Sequence, residues 1–294
     1  MTSNAGSRAC AVSPPRTVQV GLIGHGIQKS RTPKMHIDEG AAQGLDYRYA
    51  LIDTALNDAP LADLLDRAEQ AGFNGVNVTH PFKQAVMGYV DVLSSSARSV
   101  NAVNTVVFRD GKRFGHNTDY WGFAEACRRN LTGAATGRVL LIGAGGAGGA
   151  VANALVDFGV GELLICDRNS TAASLLVDQL NARVGAGRTG LVPDATDAMT
   201  GADGIVNATP VGMASHPGTP LPPDLLEPAQ WVADIIYFPL ETALLAGARA
   251  RGCRTMDGSG MAVFQAVRAF ELFCGLTADP SRMRATFDRF DAPA

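Results

Sequence analysis

The segment Val139-Leu-Leu-Ile-Gly-Ala-Gly-Gly-Ala-Gly148 constrains the fold of this chain more than any other. A short apolar run closed by glycine reads as a buried strand, and it is followed at once by the helical stretch Ala150-Val-Ala-Asn-Ala-Leu. Between them Gly143, Gly145 and Gly148 satisfy G-x-G-x-x-G. In that spacing the first glycine makes a tight turn, the second lets backbone approach a pyrophosphate, and the third lets the helix pack closely on the strand. The spacing alone is weak in a chain with 33 glycines, and its place between strand and helix carries the reading. A dinucleotide site is therefore expected at Gly143, Gly145, Gly146, Ala147 and Gly148.

Short β-branched runs alternate with helix-like stretches from Val18 onward, which predicts an α/β protein with largely parallel sheets. In the first half, 18–24, 47–53 and 75–79 read as strands, with helices near 33–43 and 61–70; Pro33 suits a first helical position. Residues 104–115 read as a hairpin about Asp110-Gly111, a dipeptide that supplies positive φ, and the return strand leads toward Asp119. A linking helix over 120–130 precedes strands at 136–143, 162–167, 189–192, 204–208, 231–236 and 254–256, the pattern of a doubly wound sheet. Apolar residues at helical spacing over 261–274 predict a helix returning to the first domain. The expected division is a substrate domain over 17–118, completed by 259–294, and a Rossmann-type dinucleotide domain over 136–258, with 1–16 a disordered tail. The two connections frame a cleft.

A chain of 294 residues has room for two such domains, and 46% hydrophobic with 18% charged residues is a globular composition. A formal net charge of −3 with scattered basic residues predicts no nucleic-acid partner. Neither a signal peptide nor a membrane-spanning stretch is visible. The five cysteines lack CxxC spacing and the five histidines lack metal-ligand spacing, so reduced thiols in a cytoplasm and no metal are expected. The oligomeric state stays open, a homodimer being one option.

Two polar cassettes, Asn77-Val-Thr-His-Pro-Phe-Lys83 and Gly115-His-Asn-Thr-Asp119, have no reason in hydrophobic packing. Lys83 and Asp119 suit a proton-transfer pair, with a structural ion pair as the alternative. Beside a nicotinamide site, such a pair implies an alcohol/ketone oxidoreductase. Asp167 ends the next strand nineteen residues after Gly148, where a carboxylate can accept from ribose hydroxyls and repel a 2′-phosphate, which favours NAD over NADP. Arg168 follows it and can instead pair with that phosphate.

Taken together, Ser30-Arg-Thr-Pro33, Asn77 to Lys83, Ala102-Val-Asn-Thr105, Asn117-Thr-Asp119, Asn207-Ala-Thr-Pro210 and Gly258-Ser-Gly-Met-Ala-Val-Phe-Gln265 resemble the shikimate dehydrogenase family over roughly 18–275. Within it, Thr32, Asp167 and Asp234-Ile-Ile-Tyr-Phe-Pro-Leu-Glu-Thr242 are similar to the bacterial quinate/shikimate dehydrogenases. The resemblance implies that Lys83 and Asp119 are the catalytic dyad. It implies that Ser30, Thr32 and Tyr237 bind the substrate carboxylate and that Asn77, Thr79, Asn104, Asp119 and Gln265 bind ring hydroxyls. Thr209, Pro210, Met213, Gly258 and Met261 fall on the nicotinamide side; both methionines are equally suited to filling core gaps. Thr32 stands where biosynthetic members carry Ser and is a candidate specificity position between quinate and shikimate. The competing readings are an NADP-dependent biosynthetic shikimate dehydrogenase, a relative acting on an amino-substituted ring acid, and a metabolite or nucleotide sensor without turnover.

Overall fold

The computed structural model describes residues 15–290. Most of the expected N-terminal tail, with Cys10, lies outside the described residues, as do the last four of the chain. The first sheet is built from β1 (Thr17–Gly24), β2 (Asp46–Asp53), β3 (Gly75–Val78), β4 (Val92–Leu93), β5 (Thr105–Arg109) and β6 (Lys112–His116), in the order β2-β1-β3-β5-β6-β4. β1 runs parallel to β2 and β3, whereas β3–β5 and β5–β6 are antiparallel. This sheet is thus mixed, because two strands joined by the tight turn at Asp110 (φ 53) and Gly111 (φ 68) can only be antiparallel. Helices α1 (Thr32–Ala42), α2 (Leu61–Gln70) and α3 (Ser95–Val100) cover it. α2 buries Leu61, Leu64, Leu65 and Ala68, one stripe at helical spacing.

The second half contains α4 (Thr118–Asn130), β7 (Arg138–Ile142), α5 (Gly146–Phe158), β8 (Glu162–Cys166), α6 (Ser170–Val184), β9 (Thr189–Leu191), α7 (Ala195–Met199), β10 (Gly204–Asn207), β11 (Trp231–Asp234), α8 (Ala243–Ala250) and β12 (Arg254–Met256). Its six strands are all parallel in the order β12-β11-β10-β7-β8-β9, the doubly wound topology. The order reverses between β7 and β10, so the crevice that such sheets use for ligands opens beyond Ile142 and Asn207. β7 buries Val139 and Leu141 on one face and Leu140 and Ile142 on the other, as a strand covered on both sides must.

Two more helices, α9 (Ser259–Cys274) and α10 (Pro280–Asp288), return to the first sheet. α9 is buried on nearly every side. Its Met261 and Phe264 join Phe123, Leu141, Val151 and Trp231 under the second sheet. Its Val263, Ala266, Phe270 and Phe273 join Val18, Val20, Met35 and Phe287 against the first. Among the described residues no helix is long and apolar enough to cross a membrane, and the four cysteines are free and buried.

Within the second of these clusters, His36 on α1 is fully buried, with Nδ1 2.9 Å from the Tyr47 hydroxyl. Burial depresses its pKa from 6.5 to about 3, because the charged imidazolium would be poorly solvated there. The neutral ring therefore contributes stability that is fully present above pH 6.5 and is lost as pH falls toward about 3. The loss is about 1.4 kcal/mol for each pH unit below the unfolded value. Thermal unfolding of the wild type should weaken more steeply between about pH 7 and about pH 5 than that of His36→Gln. Parallel pH profiles for the two proteins would show that His36 does not carry the effect.

Candidate active site

β3 runs into the segment 79–83, and Lys83 is anchored where its carbonyl accepts from the Val103 amide at 2.8 Å. Asp119 lies in the first turn of α4, which begins two residues before the expected start at 120. Asn117 caps this helix by accepting from the Tyr120 amide at 3.0 Å, and the free amides of a helix start favour a carboxylate in that turn. Lys83 Nζ donates to Asp119 Oδ2 at 2.6 Å, and the two side chains retain 19% and 10% of their exposure. The pair is thus largely withdrawn from water without being fully enclosed. A Cβ placed on Gly146 would lie 3.9 Å from Lys83 Cδ, so the lysine stem runs beside the start of α5. Tyr237, still 39% exposed, faces the same charges: the surrounding protein raises its phenol, Lys83 and Arg31 act to lower it, and Asp119 to raise it.

Behind the pair, polar side chains hold one another. The Tyr49 hydroxyl donates to Asn77 Oδ1 at 2.8 Å, and Asn77 Nδ2 donates to Thr105 Oγ1 at 3.0 Å. Asn104 Oδ1 accepts from the Thr118 amide at 2.7 Å, and Asn104 Nδ2 donates to Thr118 Oγ1 at 3.0 Å. Thr79 is half-buried at the end of β3, and Gln265 is half-buried on α9, its amide turned back to the Ala262 carbonyl at 3.0 Å. Ser30 and Thr32 flank Arg31, whose buried guanidinium lies 4.5 Å from the Phe287 ring centre and 5.8 Å from that of Phe238. The loop bearing Tyr237 and Phe238 is thereby brought onto the start of α1.

Asp53 fixes the loop that leads to Ser30. It accepts from Gln28 Nε2 at 2.9 Å and from the amides of Gly26, Ile27 and Ala55 at 2.8, 3.1 and 3.0 Å. These bonds, that of Gln28 foremost, hold its carboxyl below the usual range. Asp53, Tyr49 and Arg31 were absent from the sequence-based site. Asp53 had a signal, an acidic residue closing a strand before a turn; Tyr49 had none, since a strand tyrosine reads equally as packing.

The glycine-rich turn fits a dinucleotide. Gly143 has φ +109, and a Cβ there would lie 2.8 Å from the Ala208 carbonyl carbon and oxygen. A Cβ on Gly148 would lie 2.2 Å from the Gly143 carbonyl oxygen, while one on Gly145 meets nothing within 4 Å. α5 has no side-chain cap, so its first amides can point at an anion. Asp167, just past β8, accepts from the Ala144 amide at 2.6 Å and from the Asn169 amide at 2.7 Å; Arg168 beside it is exposed. Across the crevice Thr209 Oγ1 donates to Asn207 Oδ1 at 2.7 Å, Pro210 and Met213 are exposed, and Gly258 admits the Ile235 carbonyl, 2.3 Å from a Cβ placed there. Met261 is 8% exposed and sits in the core.

Residues 22–106 match the family model of the shikimate dehydrogenase substrate binding domain, and residues 125–211 match that of shikimate / quinate 5-dehydrogenase. A shikimate dehydrogenase (NADP(+)) from Streptomyces avermitilis is 50% identical over 271 residues, covering 90% of this chain and 93% of the relative. A quinate/shikimate dehydrogenase (NAD(+)) from Corynebacterium efficiens is 48% identical over 277 residues, covering 92% and 98%. The solved quinate dehydrogenase from Corynebacterium glutamicum in complex with NAD superposes with a TM-score of 0.90 at 47% identity, covering 93% of this chain and 99% of that one. With the doubly wound sheet and its glycine turn, these matches define an NAD(P)-dependent oxidoreductase of two α/β domains. The chain belongs to the shikimate dehydrogenase family.

The glycine contacts make a stability contrast. Gly148→Ala must push α5 off the Gly143 backbone and should cost about 1–3 kcal/mol in urea unfolding. Gly145→Ala, whose backbone at φ −72 suits any residue, should cost under about 1 kcal/mol. Equal losses would mean that the close approach at Gly148 is relieved elsewhere.

Proposed function

We propose that this chain is an NAD-dependent quinate/shikimate dehydrogenase that interconverts the ring alcohol of either acid and its ketone, 3-dehydroquinate or 3-dehydroshikimate. The observation that carries the reading is the 2.6 Å Lys83–Asp119 pair beside the start of α5. The bound nicotinamide supplies the hydride acceptor, or the donor in reverse. Lys83 holds the alcohol oxygen and, with Asp119, takes the hydroxyl proton as the carbon–hydrogen bond breaks; the same pair returns it on reduction. Withdrawal of the pair from water strengthens its hold on the oxygen.

Ser30, Thr32 and Tyr237 bind the carboxylate as hydroxyl donors. Asn77, whose Oδ1 keeps a second lone pair, accepts from a ring hydroxyl, and Asn104, whose Nδ2 keeps a second hydrogen, donates to one. Thr79 and Gln265 complete the ring contacts. Thr32 carries the extra methyl that distinguishes the quinate-using pattern. Gly143, Gly145, Gly146, Ala147 and Gly148 take the pyrophosphate, and Thr209, Pro210, Met213, Gly258 and Met261 line the nicotinamide side, Met261 from within the core. In domain terms, 17–118 with 259–294 forms the substrate side and 136–258 the nucleotide side. The buried, unpaired thiols suit a reducing cytoplasm.

The preference for NAD rests on Asp167. Two backbone amides aim its carboxylate at the glycine turn, and its remaining lone pairs suit ribose hydroxyls while its charge opposes a 2′-phosphate. Relatives at similar identity carry both names, NAD(+) and NADP(+), and the exposed Arg168 is the feature that favours NADP. Initial rates with NAD and with NADP, each against quinate and shikimate, decide between them. NAD preference with both acids is expected; NADP preference confined to shikimate would make the enzyme biosynthetic. Lys83→Ala should lower turnover about 10²–10⁴-fold with an unchanged circular dichroism spectrum, and near-normal activity would remove the dyad.

A further inference from the structure

The motif from Asp234 to Thr242 contains one buried carboxylate, Asp234, that the reaction does not use; Glu241, the other, is exposed and paired with Arg249. We propose that Asp234 is a positioning residue: with Asn207 it locks the loop after β10, which carries Thr209 to Met213, to the loop after β11, which carries Tyr237. Contacts on the nicotinamide side and the carboxylate side are thereby set together. The proposal rests on the dehydrogenase reading above and adds to it a residue that touches neither ligand.

Asn207 and Asp234 end neighbouring parallel strands in register, and both are almost fully buried. Asp234 Oδ1 accepts from the Ile236 amide at 3.0 Å, the step before Tyr237, and Oδ2 accepts from Thr242 Oγ1 at 2.9 Å. Asn207 Nδ2 donates to both carboxylate oxygens at 3.2 Å and to the Val211 carbonyl at 3.0 Å. With Nδ2 facing those acceptors, Asn207 Oδ1 is left to accept from the Thr209 amide at 3.0 Å and the Thr209 hydroxyl at 2.7 Å. Thr209 Oγ1 in turn accepts from the Val211 amide at 3.2 Å. The carboxylate thus fixes which way the Asn207 amide faces, and that orientation fixes Thr209. The two loops also touch directly, since a Cβ on Gly212 (φ +116) would meet Ile236 Cδ1 at 3.1 Å.

The site is not built for stability. Burial pushes the Asp234 carboxyl up to about 6 despite its donors, so its stabilising contribution is complete below the unfolded value of 3.8 and is lost as pH rises through about 6. An ionised carboxylate there weakens the fold at neutral pH, and what it supplies is direction.

Asp234→Asn separates the two roles, because it keeps volume, removes the charge and sets an amide donor against Asn207 Nδ2. With each acid and with NAD, the variant should show KM for the ring acid raised about tenfold, with KM for NAD raised as well. Its circular dichroism spectrum should match that of the wild type, so that the change in KM is not a loss of fold. Thr242→Val, which removes one donor to Asp234 on the Tyr237 side together with the hydroxyl that caps α8 by accepting from the Leu245 amide at 3.3 Å, should raise KM for the ring acid and leave KM for NAD unchanged; it carries the test if Asp234→Asn does not fold. A lower turnover number with both KM values unchanged, or unaltered kinetics, overturns the proposal. Absence of wild-type turnover would instead defeat the dehydrogenase reading. Titration of NADH fluorescence would then still judge Asp234, unchanged affinity in Asp234→Asn overturning its role.

Discussion

Both halves of the molecule meet along α4 and α9, and their geometry depends on how closely those two helices approach. A Cβ on Gly122 of α4 would lie 2.7 Å from the Met261 carbonyl oxygen and 2.8 Å from the Gln265 amide nitrogen. A Cβ on Gly260 of α9 would lie 2.9 Å from the Ala126 Cβ. Each helix thus offers the other a position without a side chain, filled by backbone at Gly122 and by the Ala126 methyl at Gly260, a contact that any larger residue would wedge open. α9 is buried nearly all round because it serves two cores, one under each sheet. Its apolar composition is a consequence of that position rather than a sign of a membrane segment.

The helix pair also explains why the charged groups meet where they do. Asp119 sits at the first turn of α4, three residues before Gly122, and Gln265 sits on α9 at the same contact. Lys83 arrives from the first sheet, and Gly146 from the second lies against its stem. The switch point of the nucleotide sheet therefore opens onto the carboxylate that α4 delivers. A displacement of α4 along α9 would separate Asp119 from Lys83 without touching either residue, so the ion pair is a property of the packing between the two helices as much as of its own two side chains.

Long, strongly patterned elements were legible from sequence. The β7 run with its glycine turn, the α9 stripe and the Asp110-Gly111 hairpin each express a single local rule, and each stands where that rule puts it. What escaped were mostly short pieces, although α6, with 15 residues, was not named either. β4 and α3 have two and six residues, and α8 and α10 only eight and nine, too few turns for a periodic signal to rise above composition. The mixed character of the first sheet escaped as well, although the hairpin implied it. In the site, Lys83 and Asp119 stood out because no packing rule accounts for them. Tyr49, Asp53 and Arg31 did not, because their partners lie 28, 25 to 27, and more than 200 residues away, and only the fold brings those ends together.

Polar residues at strand ends in both sheets share one design. Asn77, Asn104, Asp53 and Asn207 each spend most of their hydrogen-bonding capacity on the protein, and Asp167 about half of its own. A side chain tied in this way cannot rotate to suit an arriving ligand, so it gives up adaptability and its ordering cost falls in folding instead of binding. What it retains, one lone pair on Asn77 Oδ1 or one hydrogen on Asn104 Nδ2, has a fixed direction. On the proposed substrate reading, a ring acid that presents an acceptor where Asn104 donates would be held, and one that presents a donor there would leave two buried hydrogens facing each other, which costs more than a missing contact. On that reading, selectivity among similar hydroxy acids comes from the bonds that Asn77 and Asn104 make within the protein, which settle the one bond each has left to offer.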